Sequence, residues 1–397
     1  PTFGRFRHQR GCIPSSDATM LALMLLLRSA SPLRPAARRL FSTRLNAEKK
    51  RLIFLGSPGV AAQTLQGLLD ASRLDGACFD VVGAVSQPPA AKGRKKVVQR
   101  SEVHALAEDN DLPTLTPESA RDLVFLDALR DLRPDVFVTA AYGQFLPKKL
   151  LEIAPFGTLN IHPSLLPRWR GAAPLQRSLE AGDNLVGVTV LQTVLAMDAG
   201  PIVAQHSQAV REGDDAEALL TELFAKGVDL LVAALPALFD GTLVMQLQKD
   251  AEATAAPKLA RDDGRLDLLA PVDDESRTIA ARESRTIAAR ARDKVRAFAG
   301  WPGTFVDVRI GAAEAVRLKV LAARLPGAND AARDGASTNA GACALSALGD
   351  ALLVSCADGS TLALLTVQKP NGKPMPVAAF WNGLRGEPLA VVEPLVV

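Results

Sequence analysis

The sequence predicts an α/β fold, an open and mostly parallel sheet, followed by a small β-barrel. Three observations carry this reading. Short apolar runs alternate with helical stretches from residue 50 to about residue 240, the rhythm of an open α/β sheet. The texture then turns Asp/Lys-rich, with Pro257-Lys-Leu and the turn Arg261-Asp-Asp-Gly264, as in a connector between domains. Beyond it, short strand-like runs recur at regular spacing, as in a barrel. With 397 residues, 48% apolar and 22% charged, the chain can bury two cores and is not broadly disordered.

The elements follow in order. Lys50-Arg-Leu-Ile-Phe-Leu-Gly-Ser-Pro-Gly59 reads as a buried strand ending in a Gly-rich turn, with a helical run over Val60–Ala71. Phe79–Ser86 is a second strand, Ser101–Asn110 and Phe125–Asp131 are helices, Asp135–Ala141 is a third strand and Gly157–Ile161 a fourth. Pro174–Ala181 reads as a helix, Gly182–Gln192 as a turn and strand, and Asp215–Leu238 as a long amphipathic helix. In the C-terminal part, strand-like runs lie at Arg317–Leu321, Ala351–Ser355 and Leu362–Val367, interrupted by an Ala/Gly/Asn/Asp-rich loop, Ala328–Gly341. Glu275-Ser-Arg-Thr-Ile-Ala-Ala-Arg282 is repeated unchanged as Glu283–Arg290. A shift of eight residues turns a helix by about 80°, so both copies cannot bury the same stripe.

Charge is uneven. Residues 1–50 hold ten Lys/Arg against Asp17 and Glu48, while the rest carries 36 basic and 41 acidic residues. The body therefore offers no bulk case for nucleic-acid binding, which has to come from a local patch. Cys12, Cys78, Cys343 and Cys356 are far apart and form no Cys-x-x-Cys, so neither a zinc site nor a disulfide framework is signalled and no metal is expected. A reducing compartment is the default. Ala18–Ala47 contains no acidic residue but has Arg28, Arg34, Arg38, Arg39, Arg44 and several serines, the composition of a transit peptide. Arg39-Leu-Phe-Ser-Thr resembles a mitochondrial processing site. Residues 1–47 are expected to be a disordered targeting segment, directed to the mitochondrion or alternatively a plastid. The apolar run Met20–Leu27 is too short to span a bilayer, and no membrane association is expected.

Chemistry concentrates in Thr158-Leu-Asn-Ile-His-Pro-Ser-Leu-Leu-Pro-Arg-Trp-Arg-Gly-Ala-Ala-Pro174. Asn160 and His162 are two apart, so on a strand their side chains leave from one face. An amide and an imidazole together can donate to a developing negative charge on one oxygen. By itself the stretch reads more readily as a rigid turn with a structural histidine. Ligands of such sheets bind at the carboxyl ends of strands, where Asn160, His162 and Ala141-Tyr-Gly-Gln-Phe-Leu-Pro147 lie. Asp198 sits in a Gly/Pro-bounded turn, Met197-Asp-Ala-Gly-Pro201. Gly56-Ser-Pro-Gly59 is not a dinucleotide fingerprint. Lys92–Arg100 holds five basic residues and none acidic, as either a solvated loop or one that touches phosphates.

These residues resemble the methionyl-tRNA formyltransferase family. Leu159–Pro174 is similar to its central motif. Ala141–Pro147, Gly187-Val-Thr189 and Met197–Gly200 resemble neighbouring motifs at the family's spacing, and Ala297–Gly303 and Gln368–Lys373 its C-terminal barrel. The resemblance implies a Rossmann-like formyltransferase domain over 50–245, a linker over 246–270 and an OB-like barrel contacting tRNA over 271–397. It implies Asn160, His162 and Asp198 as the catalytic trio, and folate contacts at Ser164, Leu165, Leu166, Pro167, Tyr142 and Gly143. It also places Arg94, Lys95 and Lys96 against the tRNA acceptor stem. The implied co-substrate is 10-formyltetrahydrofolate, the partner initiator methionyl-tRNA and the protein a monomer. The α-amine would attack the formyl carbon, Asn160 and His162 stabilising the oxygen and Asp198 pairing with His162 and assisting proton transfer. Two departures stand out. Thr193-Val194 replace an acidic residue common ahead of Met197-Asp198, and the basic loop ends in Val97-Val-Gln-Arg100.

Overall fold

Leu52 and Phe54 of the first strand point into one apolar core, while Ile53 and Leu55 point into another on the opposite face. That two-sided burial is why the strand reads as an unbroken apolar run rather than an alternating one. The computed structural model describes residues 48–92, 97–270, 285–328, 330–331 and 339–393. Residues 1–47, expected to be a targeting segment, lie outside the described residues, as do Arg94, Lys95, Lys96, the first octapeptide copy and most of the Ala328–Gly341 loop.

The first part contains β1 (Lys50–Gly56), α1 (Gly59–Ser72), β2 (Phe79–Val85), β3 (Ala90–Lys92), β4 (Val97–Gln99), α2 (Glu102–Asp109) and β5 (Thr114–Leu115). It continues with α3 (Leu123–Asp131), β6 (Val136–Ala140), α4 (Lys148–Leu151), β7 (Thr158–His162), β8 (Arg170–Gly171), α5 (Pro174–Glu180), β9 (Leu185–Gln192), β10 (Ile202–Ala209) and α6 (Ala216–Phe239). Seven strands form one sheet in the order β10-β9-β7-β6-β1-β2-β5. Neighbours from β7 to β5 are parallel, and β9 and β10 close the edge antiparallel. This is the Rossmann-like sheet the sequence predicts. β3 and β4 pair antiparallel on either side of residues 93–96 in the sequence.

Side-chain caps start α2, α3 and α6; α2 and α6 begin where the sequence predicts, whereas α3 begins at Leu123, two residues ahead of the predicted Phe125. Ser101 accepts from His104 N–H, Asp122 from Val124 N–H and Asp215 from Ala218 N–H, each meeting an otherwise unpaired donor of a first turn. Helix α6 buries Leu219, Leu223, Gly227 and Leu231 along one stripe and packs behind β7, β9 and β10. Gly227 sets how close it comes. A Cβ there would lie 2.4 Å from Ile161 Cγ2, between the strand positions of Asn160 and His162.

The second part contains β11 (Ala255–Ala256), α7 (Ile287–Ala297), β12 (Thr304–Ile310), β13 (Val316–Arg324), β14 (Cys343–Leu345), β15 (Leu352–Ser355), β16 (Thr361–Gln368), β17 (Met375–Pro376), α8 (Val377–Asn382) and β18 (Leu389–Val391). Strands in the order β14-β15-β16-β13-β12-β18 form a nearly closed antiparallel barrel. An Ala342–Ala390 bridge joins its two ends. Alternate residues (Val306 and Val308, Leu318 and Val320, Leu362 and Leu364) point inward, and α7 covers the core with Ile287, Ala288, Ala291 and Val295. Thr286 of the second octapeptide copy caps α7 by accepting from Ala289 N–H.

The connector is docked along its length. β11 pairs in parallel with β8, Arg177 of α5 holds Asp263 at 2.7 Å, and Leu266 N–H donates to Phe305 O of the barrel at 2.9 Å. Ordered backbone there follows from partners on both sides, which composition does not reveal.

Candidate active site

Asn160 lies beside Thr139 in the parallel register of β6 and β7. The Thr139 hydroxyl donates to Asn160 Oδ1 at 2.8 Å. This spends the oxygen end of the carboxamide inside the sheet and turns its two N–H donors outward. Thr139 is a site residue the sequence reading misses. The available signal is that it is the one polar side chain in Val-Phe-Val-Thr-Ala of β6.

His162, the last residue of β7, is 5% exposed. Its Nε2 lies 3.0 Å from the backbone oxygen of Trp169. A carbonyl oxygen carries no proton, so Nε2 is the protonated nitrogen and donates. Only Nδ1 then remains to face a reacting group, which narrows the two-edged imidazole of the sequence reading to one edge. Nδ1 is 3.8 Å from Asp198 Oδ2. That is too long for a hydrogen bond but close enough for charge pairing or a bridging water.

Asp198 reaches this position by a route that sequence distance conceals. Strand β9 runs against β7, so the segment after it starts beside the wrong end, with Thr193 N–H donating to Thr158 O at 2.7 Å. The chain then folds back toward His162. Gly200 permits this, since a Cβ there would meet Gln192 O at 1.7 Å. Asp198 has φ +48°, a left-handed conformation that Asp tolerates better than most residues. Its Oδ2 accepts from Gly171 N–H at 2.9 Å. Gly171, at φ +133°, passes so close to β11 that a Cβ would come within 2.5 Å of Ala256 O.

Three non-glycine residues around the site hold positive φ: Ala141 at +46°, Trp169 at +65° and Asp198. Such strain persists where neighbours over-determine the backbone, and Trp169 shows how. Its N–H donates to Thr254 Oγ1 at 2.9 Å, its oxygen accepts from His162, and its indole Nε1 donates to Asp183 Oδ2 at 2.8 Å. Asp183 also receives both Arg168 Nη2 contacts and the Ser178 hydroxyl. Pro163, Ser164, Leu165, Trp169 and Gly187 line a cavity of about 290 Å³ beside this loop.

The candidate folate segment is braced from inside. Ser164 is buried and donates to Arg168 O at 2.9 Å, and its own carbonyl accepts from Thr189 Oγ1 at 2.6 Å. Gln205 Nε2 donates to Leu166 O at 2.8 Å. Leu166 is buried against Leu191 and Ile202, whereas Leu165 and Pro167 are half-buried. The Tyr142 ring is turned into the core with Leu55 and Phe137, and burial pushes its hydroxyl pKa up to about 12. Gly143 follows at φ +83°. The exposed aromatic of that segment is Phe145. Side chains of Ser164, Leu166 and Tyr142 thus set the shape of the loops. Among the described residues no group of three or more His, Cys, Asp or Glu is gathered as a metal site, and no helix is long and apolar enough to cross a membrane.

Residues 50–235 match the formyl transferase family and residues 285–385 match the formyl transferase C-terminal domain. Fold and site together define a formyl-group transferase. The methionyl-tRNA formyltransferase of Pseudomonas paraeruginosa is 36% identical over 335 residues, covering 84% of this chain and 96% of that one. The one from Anaeromyxobacter sp. is 37% identical over 335 residues, covering 84% and 97%. The chain belongs to the methionyl-tRNA formyltransferase family. Among solved structures, the sugar 3N-formyl transferase WlaRD shares the fold with a TM-score of 0.51 at 15% identity, covering 82% of this chain and 100% of that one. HypX from Aquifex aeolicus with tetrahydrofolic acid has a TM-score of 0.50 at 17% identity, covering 85% and 48%.

Proposed function

We propose that this chain transfers a formyl group from 10-formyltetrahydrofolate to the α-amine of methionyl-tRNA, giving N-formylmethionyl-tRNA for organellar translation initiation. The observation that carries the reading is the Asn160–His162–Asp198 constellation, set in a chain 36% identical to a methionyl-tRNA formyltransferase. The donor supplies the one-carbon unit. Its fit is supported by apolar side chains left exposed on the two segments that adjoin the trio, Phe145 on one and Val194, Leu195 and Met197 on the other, which suit a flat, partly apolar molecule.

The chain's own residues divide the work. The Asn160 carboxamide, its oxygen held by Thr139, presents N–H to the formyl oxygen as the amine adds. Removing one such preorganised donor typically costs about 10²–10³ in rate. His162, anchored through Nε2, donates from Nδ1 only when the ring carries both protons, and the Asp198 carboxylate stands beside that edge, 3.8 Å from Nδ1. Asp198 also accepts the proton shed by the attacking amine, directly or through water; as the tetrahedral adduct collapses, the bond from the formyl carbon to the folate nitrogen breaks and that nitrogen leaves with the proton. Arg94, Lys95 and Lys96, which lie between β3 and β4 in the sequence, contact acceptor-stem phosphates, and the protein works as a monomer. The composition of residues 18–47 supports delivery to the mitochondrion, with a plastid as the alternative.

The test is to incubate the protein with 10-formyltetrahydrofolate and charged initiator tRNA and assay formylmethionyl-tRNA. Formate or a formylated sugar amine as product instead would overturn the reading. His162→Ala should abolish turnover while leaving tRNA affinity nearly intact.

A further inference from the structure

We infer that Gln248, on the connector between the two domains, is a positioning residue for formyl transfer that acts through Asp198. This rests on the proposed role of Asp198 as a catalytic residue. The Gln248 carboxamide is used at both ends. Its Nε2 donates to Asp198 O at 2.8 Å and to Gly200 O at 2.7 Å. Its Oε1 accepts from Arg170 Nε at 3.1 Å and Nη2 at 2.8 Å. Two carbonyls can only accept and a guanidinium can only donate, so the amide has one workable orientation. Arg170 is further held by Asp250 at 2.8 Å, and its N–H donates to Thr254 O at 2.8 Å.

One side chain therefore ties together the segments that meet at the reacting centre. The 198–200 turn supplies the carboxylate. The 169–171 segment supplies the carbonyl that anchors His162 and the N–H that anchors the carboxylate. The turn needs such a tie, because Asp198 sits at φ +48° and Gly200 packs directly on Gln192 O. A residue in a sparsely populated conformation stays there only when its surroundings hold it. Gln248 itself is half-buried between the exposed Leu247 and Lys249, so its role is in these hydrogen bonds rather than in core packing.

The experiment compares Gln248→Met, which keeps length and loses every hydrogen bond, with Gln248→Glu, which still accepts from Arg170 but no longer donates to the turn. A misplaced catalytic group of about 1 Å costs up to about a hundredfold. Both variants should lower kcat by about ten- to a hundredfold, with KM for donor and methionyl-tRNA changed less than threefold and the thermal midpoint close to that of the unaltered protein. Single-turnover rates then separate the routes. In an Asp198→Asn background, Gln248→Met should cost little more, because groups acting as one unit are non-additive. Unchanged kcat in both Gln248 variants while Asp198→Asn is crippled would overturn the positioning role alone. Fully multiplicative losses would overturn the route through Asp198. Full activity of Asp198→Asn would instead overturn the catalytic reading on which the inference stands.

Discussion

Gly227 lets a helix rest directly on the back of the strand that carries Asn160 and His162, so adding one methyl group there should reach the proposed site. In Gly227→Ala the new Cβ would sit 2.4 Å from Ile161 Cγ2 and 3.1 Å from Val188 Cγ2. Carbon atoms pack at about 3.5–4.0 Å, so α6 and β7 have to part by roughly 1.2 Å, and both contacts are to branched side chains with little freedom to turn away. Overpacking of this kind costs about 1–3 kcal/mol, whereas replacing glycine inside a helix returns about 0.8–1 kcal/mol. The net expectation is destabilisation of up to about 2 kcal/mol, or a fall of a few degrees in midpoint for a domain of this size. Ile161 lies between Asn160 and His162, so half of the displacement reaching the strand should lower kcat by about tenfold. Scanning calorimetry and steady-state formylation assays measure the two effects. Lys226→Ala, on an exposed neighbouring position of the same helix, should change neither. A midpoint that rises in Gly227→Ala with kcat intact would show that helix propensity wins and that the contact does not constrain β7.

Further outcomes follow from individual contacts. Thr139→Val removes the hydrogen bond that orients Asn160; at about 0.5–1.5 kcal/mol this should lower kcat two- to tenfold, and Thr139→Ser should restore it if the hydroxyl is responsible. Burial opposes the charge of Asp263, but donation from Ala260 N–H and from Arg177 outweighs it and holds the carboxyl below its ordinary 3.8. A lowered carboxyl stabilises the fold above its unfolded pKa and loses that contribution as pH falls through its folded value, so Asp263→Asn should flatten the acid limb of stability below about pH 4 in urea titrations at graded pH. Replacing Arg94, Lys95 and Lys96 by Gln should weaken tRNA binding and make the slope of log K against log salt shallower by about 2, with donor binding unchanged; an unaltered slope in filter-binding assays would remove these three residues from the tRNA contact.

Asn160, His162 and Asp198 were legible because local chemistry exposes them. Period-two spacing on a strand puts the first two on one face, and glycine and proline frame the third. The strands and helices were legible for a similar reason, since two-sided burial makes β1 an unbroken apolar run and caps such as Ser101, Asp122 and Asp215 mark helix starts within four residues. Thr139, Trp169 O, Gln248 and Thr254 were not. Thr139 meets Asn160 across 21 residues, and Gln248 meets Asp198 across 50. A hydrogen bond over such separations leaves no periodicity and no composition bias behind. What tertiary structure alone decided was therefore orientation: which nitrogen of His162 is spent on Trp169, which end of the Asn160 amide faces out, and that the connector is a brace of the site. The sequence by itself singled out the candidate groups, which the structure brings together at one end of β7. Their aim depends on register between strands and on a chain that doubles back over β7, both set by packing of segments far apart in the sequence.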